Sequence, residues 1–457
     1  MRAQIFKYWD RVRSSFWFVP AVMAAGAVAV AFISVTLDET VKDWSVLGLN
    51  WIFSGDAEGA ATILGTVAGS MITITGVVFS MTLVALSLTS SQLGPRLLHN
   101  FMSDTTTQVV LGTFVSTFLY CLLILRTVRR AEEATFVPHL SVSLAVLFAV
   151  VSVAVLIYFI HHVSVSIQAN EIMAKVGTEL NEGIERLFPA RIGSGKPRIS
   201  AKQPSADFLD AFDQTARPLC SGGDGYLQFI DADGLIALAA QENLVIRLAR
   251  RPGHYIVADC PLAMVWPENR LSDTIKERIH TAFALGSQRT PGQDIEFSVN
   301  QLVEIAVRAL SPGVNDPFTA ITCVDHLGSA LCRLAQRALP SPYRHDRQDQ
   351  LRLIAPVVTF AEMTDAAFNQ IRQYGRSSAA VTLRMLEMIA VIAEFAHRSE
   401  ERAALLRHAE MINRGARDGL PEAEDRGAVE KAYQAACLAC RKPASPGLLT
   451  TTPLAAT

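Results

Sequence analysis

Thr62, Thr66, Gly69, Thr73, Gly76, Ser80 and Ser87 recur about every 3.5 residues in a stretch that carries no charge. On a helix that spacing places them along one seam, interrupted only by Leu83. Ser70, Thr75 and Thr82 add further hydroxyls to the same stretch. Hydroxyls in a membrane can replace water of hydration around a permeating species. One reading is therefore the wall of a polar path in an oligomer, to which the second span of each copy contributes. The other is tight helix packing through small residues. Spacing alone leaves both open.

A second constellation lies in the polar part of the chain. Gln301, Glu304 and Arg308 stand at i, i+3 and i+7, which shares a helix face. The turn Ser311-Pro312-Gly313-Val314-Asn315-Asp316-Pro317-Phe318-Thr319 follows and brings Asn315, Asp316 and Thr319 close to the end of that helix. Upstream, Arg289, Thr290, Gln293 and Asp294 form another polar cluster. Together they suggest a pocket for an ion or a small polar ligand. The competing reading is a capped helix–turn–helix held by a pair between Arg308 and a carboxylate.

Other motifs carry less. His161-His162 follows an apolar run, but a helix turns neighbouring side chains about 100° apart, so the two do not readily share one metal. Cys437-x-x-Cys440 is a lone pair where zinc needs four ligands. Gly193-Ser194-Gly195-Lys196 imitates a phosphate loop, yet lacks the upstream glycine and runs into Pro197. HExxH, GxSxG and kinase signatures are absent. No metal, cofactor or catalytic residue is expected, and an enzyme is the weaker class of reading.

The elements that must position these residues follow from composition. The chain has 457 residues, half of them apolar, with 18% charged against about 25% in an ordinary soluble protein. The deficit is local: residues 1–160 carry 18 charged side chains and the other 297 carry 66. A wholly soluble enzyme, a disordered chain and a small disulfide scaffold are excluded. The net charge of −2 argues against a nucleic-acid binder. Uncharged apolar stretches at Ser15–Leu37, Ala60–Leu93, Val109–Leu125 and Leu140–Ile160 predict four transmembrane helices, since about 20 residues cross the hydrocarbon. No charged side chain is expected inside them. Arg2, Lys7, Arg11 and Arg13 put the N-terminus in the cytoplasm, and four spans return the C-terminus there. Asp38 and Glu39 then fall in an outer loop.

Beyond the spans, Met173, Val176, Leu180, Ile184 and Leu187 keep helical spacing to Pro189, which predicts an amphipathic stalk able to pair with copies of itself or with the soluble domain. The expected organisation is a four-helix transmembrane domain (1–163), stalk (164–189), linker (190–215), small β-rich module (216–268), helical domain (269–442) and disordered tail (443–457). Strands are predicted at 225–230, 244–248, 254–257 and 262–266, with a short helix at 235–240. Helices are predicted at 273–286, 298–310, 317–337, 350–374, 378–398, 399–415 and 421–441. Thr274 with Glu277 has capping-box spacing, and Ser272 is a second candidate cap. Asp316-Pro317 fits an N-cap followed by proline at the first helical position.

Three stretches together carry a resemblance: the four-span N-terminus, GYLQFIDADGLIALA (225–239) with RPGHYIVADCPLAMVW (251–266), and RTPGQDIEFSVNQLVEIAVRALSPGVNDPFTAITCVDHL (289–327). They resemble a family of bacterial predicted membrane proteins defined as a domain of unknown function. The resemblance covers about residues 10–440 and implies membrane helices followed by a cytoplasmic α/β region, with no activity attached. The expected fold is thus an α-helical membrane region plus a cytoplasmic α+β region. The expected function is a homo-oligomeric inner-membrane channel or conduit gated by its cytoplasmic part. The alternative is a membrane-anchored sensor or scaffold that binds a cytoplasmic ligand or partner. The expected partners are the lipid bilayer, further copies of the chain, and an ion or small polar ligand.

Overall fold

A computed structural model describes residues 15–40, 53–92, 94, 104–128, 136–166, 168–188 and 203–442. The basic N-terminal cluster, the phosphate-loop mimic and the 443–457 tail lie outside the described residues. The chain divides into two compact units, Tyr8–Glu171 and the chain from Ile172 onward.

Four helices of the first unit are long and apolar enough to cross a membrane. They are α1 (Phe18–Thr40), α2 (Ala57–Gln92), α3 (Thr105–Thr127) and α4 (His139–Ser166). With no water to bond them, backbone groups in lipid must be satisfied within the segment, which makes these runs helical. α3 packs against the other three and buries Phe114, Tyr120 and Ile124 completely. Hydroxyls tie the helices together. Tyr120 Oη lies 3.0 Å from Ser34 Oγ on α1 and donates to the Ser141 carbonyl on α4 at 3.1 Å. Thr117 and Ser152 meet across α3 and α4 at 3.1 Å. Polar bonds of this kind hold membrane helices where apolar burial gives no preference over lipid.

The first span differs from expectation at its end. α1 runs on to Thr40, so Asp38 belongs to the helix and is buried. Its carboxylate accepts N–H bonds from Leu140 and Ser141, both at 2.9 Å, and the Ser141 hydroxyl at 2.7 Å. Those donors are the orphan amides at the start of α4, and an anion belongs there. One charged side chain is therefore built into the helix bundle.

The second unit opens with α5 (Ala169–Leu187), whose last sixteen residues it contains. Met173, Val176, Leu180 and Ile184 are fully buried. They meet α10 (Pro317–Ala335): Cys323 Sγ approaches Met173 Sδ at 3.3 Å, and Glu185 pairs with Arg333 at 3.5 Å. Of the two pairings open to the expected stalk, the one with the soluble part is thus present, and the helix belongs to the core of this unit.

α6 (Ala206–Thr215), capped by Ser205, begins inside the expected linker and buries Phe212 under the Arg247 guanidinium. Two sheets follow. β1 (Arg217–Cys220), β5 (Pro261–Trp266), β3 (Val245–Leu248), β8 (Leu351–Ile354) and β7 (Tyr343–His345) form one, in that order. β4 (Tyr255–Ile256), β2 (Gly225–Ile230) and β6 (Phe283–Gly286) form the other. Ile246 stands opposite Val265 in antiparallel register and opposite Leu353 in parallel register. α7 (Ala232–Gln241) and α8 (Asp273–His280) close a core of Leu227, Leu235, Ile246, Val265, Ile279 and Leu353.

The expected boundary at 268 does not hold, because β6, β7 and β8 come from beyond it. The predicted helix 273–286 stops at His280, since Phe283–Gly286 pair with β2. Its cap is Ser272, whose Oγ accepts from Ile275 N, and not Thr274. The predicted helix 350–374 is a strand and then α11 (Phe360–Gly375). Pro356 disfavours helix before it, and Thr359 with Glu362 forms the capping box that starts α11. The remaining helices are α9 (Ile295–Ala309), α12 (Ala379–Phe395), α13 (Ser399–Gly419) and α14 (Ala423–Arg441).

Candidate functional site

α2 buries one side and exposes the other. Leu64, Ala68, Met71, Val78, Thr82, Ala85 and Thr89 are buried against the other spans. Thr62, Thr66, Gly69, Thr73, Gly76, Ser80 and Ser87 are all exposed. At about 100° per residue the two sets lie on opposite sides of the helix. The structure thus groups the seven seam residues on the side turned away from the other three spans. A Cβ added at Gly65, Gly69 or Gly76 would meet nothing within 4 Å.

The hydroxyls of Thr62, Thr66 and Thr73 on the seam, and of Ser70 beside it, are bonded along their own helix. Thr62 Oγ1 donates to the Glu58 carbonyl at 2.8 Å, Thr66 to Thr62 at 2.7 Å, Ser70 to Thr66 at 2.8 Å and Thr73 to Gly69 at 2.9 Å. These four donors are used, while each of the four oxygens keeps acceptor capacity. The seam is therefore a row of acceptor oxygens and glycine gaps. Flanking it on the same helix, Ile72, Val77, Phe79, Val84 and Leu88 present bulky apolar surface.

At one end of the spans, Asp104 caps α3 by accepting from Thr107 N at 3.1 Å and Thr107 Oγ1 at 2.7 Å. His162 Nε2 lies 2.9 Å from the same carboxylate. His162 thus has a structural partner that sequence spacing did not reveal. His161 is exposed.

The polar residues of the second unit fall into two groups at opposite ends of α9. Fifteen residues at 1.5 Å each separate those ends by about 20 Å. At the N-terminal end, buried Asp294 takes Arg289 in a bidentate pair, Nε at 2.6 Å and Nη2 at 2.9 Å. Arg251, from the turn before β4, bonds Glu296 and reaches Glu362 at 3.1 Å. Burial opposes the charge on Glu362, but the Thr359 amide and Arg251 prevail and hold its pKa below the ordinary value. Gly253 completes the arrangement: its φ is +91°, and a Cβ there would sit 2.3 Å from Asp294 Oδ2. The network joins the Arg-Pro-Gly turn, the 289–294 loop, α9 and α11.

At the C-terminal end, Glu304 and Arg308 pair across one helical turn at 3.6 Å. Gln301 is buried within α9. Asp316 caps α10, accepting from Phe318 N at 3.1 Å, Thr319 N at 3.2 Å and Thr319 Oγ1 at 2.6 Å. Those bonds hold its carboxyl below the usual carboxylate range. Asn315 has φ +51° and is exposed, which a residue tolerant of the left-handed region allows. Arg289 and Asp294 are thus brought together, as are Glu304 with Arg308 and Asp316 with Thr319, but the three pairs do not share one pocket. Sequence reasoning missed Arg251, Glu296 and Glu362, although Thr359-x-x-Glu362 has capping-box spacing. Among the described residues, no three His, Cys, Asp or Glu side chains are placed to hold a metal.

A family model described as a predicted membrane protein (DUF2254) matches residues 13–391. An uncharacterized protein of Mycobacterium tuberculosis (strain H37Rv) is 33% identical over 430 residues, covering 92% of this chain and 80% of the relative. An uncharacterized protein of Mycobacterium bovis has the same identity and coverage. No solved structure matches the chain. With four apolar spans in place and a match over most of its length, the chain belongs to the predicted membrane protein family DUF2254.

Proposed function

We propose that this protein is a homo-oligomeric conduit of the bacterial inner membrane, in which α2 of each copy turns its seam toward a shared axis. The C-terminal unit then lies in the cytoplasm and acts as the gate or sensor. One observation carries this reading: the seven seam residues are exposed on the side of α2 opposite its buried face. Lipid tails gain little from glycine gaps and hydroxyl oxygens, whereas a second copy or a file of water can use both. The innermost helix of a ring needs this distribution, with its own bundle behind it and small polar residues in front.

The test is flux through vesicles holding the purified protein. Wild type passes a monovalent ion faster than protein-free vesicles, and Thr66→Leu with Thr73→Leu lowers that rate at least tenfold while the protein keeps its oligomeric size. Equal flux in wild type and the double variant overturns the conduit. The seam is then a packing surface.

A further inference from the structure

The loop at 311–318 carries apolar side chains into solvent. Phe318 is 78% exposed and Val314 56%. The loop is rigid at its base: Asp316 N donates to the Ala309 carbonyl at 2.7 Å, and Asn315 N to Ser311 at 2.9 Å. A well-anchored loop that displays a phenylalanine and a valine offers an apolar contact surface.

The helices of the second unit show which end of it this loop occupies. α5 and α10 run parallel, because Met173 meets Cys323, Gly177 meets His326, Glu185 meets Arg333, and Arg337 reaches the Phe188 carbonyl. The start of α10, with Phe318, is therefore level with the start of α5. α12 is parallel to both, since Arg384 pairs with Asp325 at 2.6 Å and Met388 packs on Gly328. The end of α11 arrives at the same place: a Cβ at Gly375 would lie 3.5 Å from Leu310 and 2.9 Å from Val381. Tyr374 there is 56% exposed. The end of α13 joins it, with Gly419 packed on the Arg376 carbonyl. One end of the unit thus shows Val314, Phe318 and Tyr374, with Arg376, Arg414 and Asp418 exposed beside them.

This is also the end where the chain arrives. Ile172 opens the unit, and only five residues separate it from Ser166, the last residue of the apolar helix α4. Five residues reach at most about 18 Å. α14 starts beside Gly419 and runs the other way, so Leu438 and Arg441 mark the opposite end.

We propose that Val314, Phe318 and Tyr374 sit in the headgroup region of the bilayer, with Arg376 and Arg414 against anionic phosphates. Phenylalanine and valine lower themselves toward the acyl boundary, tyrosine holds the interfacial level, and arginine meets the phosphates. The second unit is then moored to lipid by its helix ends as well as by its chain connection.

The test uses the full-length protein in nanodiscs of phosphatidylethanolamine and phosphatidylglycerol. A photoreactive p-benzoylphenylalanine replaces Phe318, Tyr374, Leu438 or, as positive control, Val22 of α1. Illumination followed by intact-protein mass spectrometry should show a phospholipid adduct at positions 22, 318 and 374, with at least a fivefold lower yield at 438. The replaced side chains are exposed, so folding is retained, and either position 318 or 374 alone can report. A yield at both positions no higher than at 438 overturns the proposal. So does crosslinking of 318 and 374 only to a second copy of the chain, which would make this end a protein interface.

Discussion

Asp38, near the end of α1, caps α4 through Ser141: one carboxylate oxygen accepts both the backbone N–H and the hydroxyl of that serine. Its other oxygen takes Leu140 N. The bond joins the first and last spans of the bundle. Asp38→Ala strips the half-buried Leu140 amide and the buried Ser141 amide of their acceptor and should cost about 2 kcal/mol. Asp38→Asn keeps one acceptor oxygen and should lose less. Thermal unfolding of the detergent-solubilised protein ranks the three forms.

Two glycines of the spans should respond in opposite ways. Gly69 faces open space, so Gly69→Leu should leave protomer stability within about 0.5 kcal/mol. Gly112 sits against α1, where a Cβ would meet Met23 Sδ at 2.6 Å and the Pro20 Cα at 3.2 Å. Met23 can swing aside and the Pro20 backbone cannot, so Gly112→Leu should cost about 1–3 kcal/mol. If the seam is a contact between copies, Gly69→Leu alone should shift the oligomer toward smaller species in native mass spectrometry.

The Arg289–Asp294 pair should matter more than an ordinary surface pair. Asp294 is 4% exposed, and removing it leaves a partly buried guanidinium without its bidentate partner. Asp294→Ala should cost about 3 kcal/mol and loosen hydrogen-exchange protection across the start of α9. Gly253→Ala should loosen the same segment, because a Cβ would displace the Asp294 carboxylate and the positive φ is strained for alanine.

His408 should make the second unit sensitive to acid. Its side chain is fully buried, and burial lowers the imidazole pKa below its ordinary 6.5. The bond to Asp365 at 2.7 Å offsets part of that, while Arg407 and Arg372 add to it. The unfolded chain then binds the proton more readily than the folded one. The contribution to stability is complete above pH 6.5 and is lost as pH falls below it. His408→Gln should flatten the fall in melting temperature between pH 6.5 and 5.5 relative to wild type.

Much of this was legible in the residues. Long uncharged runs can satisfy their backbone in lipid only as helices, so the four spans follow from composition. Asp316-Pro317 announced the cap of α10, because both residue types prefer those positions locally. The strand Phe283–Gly286 was not legible, since its conformation depends on pairing with β2, more than fifty residues earlier. The β8 segment failed for the same reason, its partner β3 lying about a hundred residues upstream. The seam of α2 was readable as a seam. Which way it faces depended on which opposite residues the other spans cover. Asp38 was hidden because its value comes from amides a hundred positions away.

The burial of α5 has a consequence for biosynthesis. This helix leaves the ribosome about 150 residues before the α10 residues that cover Met173, Leu180 and Ile184. At 5–20 residues per second, that apolar face waits some 8–30 s for its partner. It must be sheltered in the meantime, by the nearby membrane surface or by a chaperone. A nascent chain stalled before residue 323 should therefore be the form most prone to aggregate.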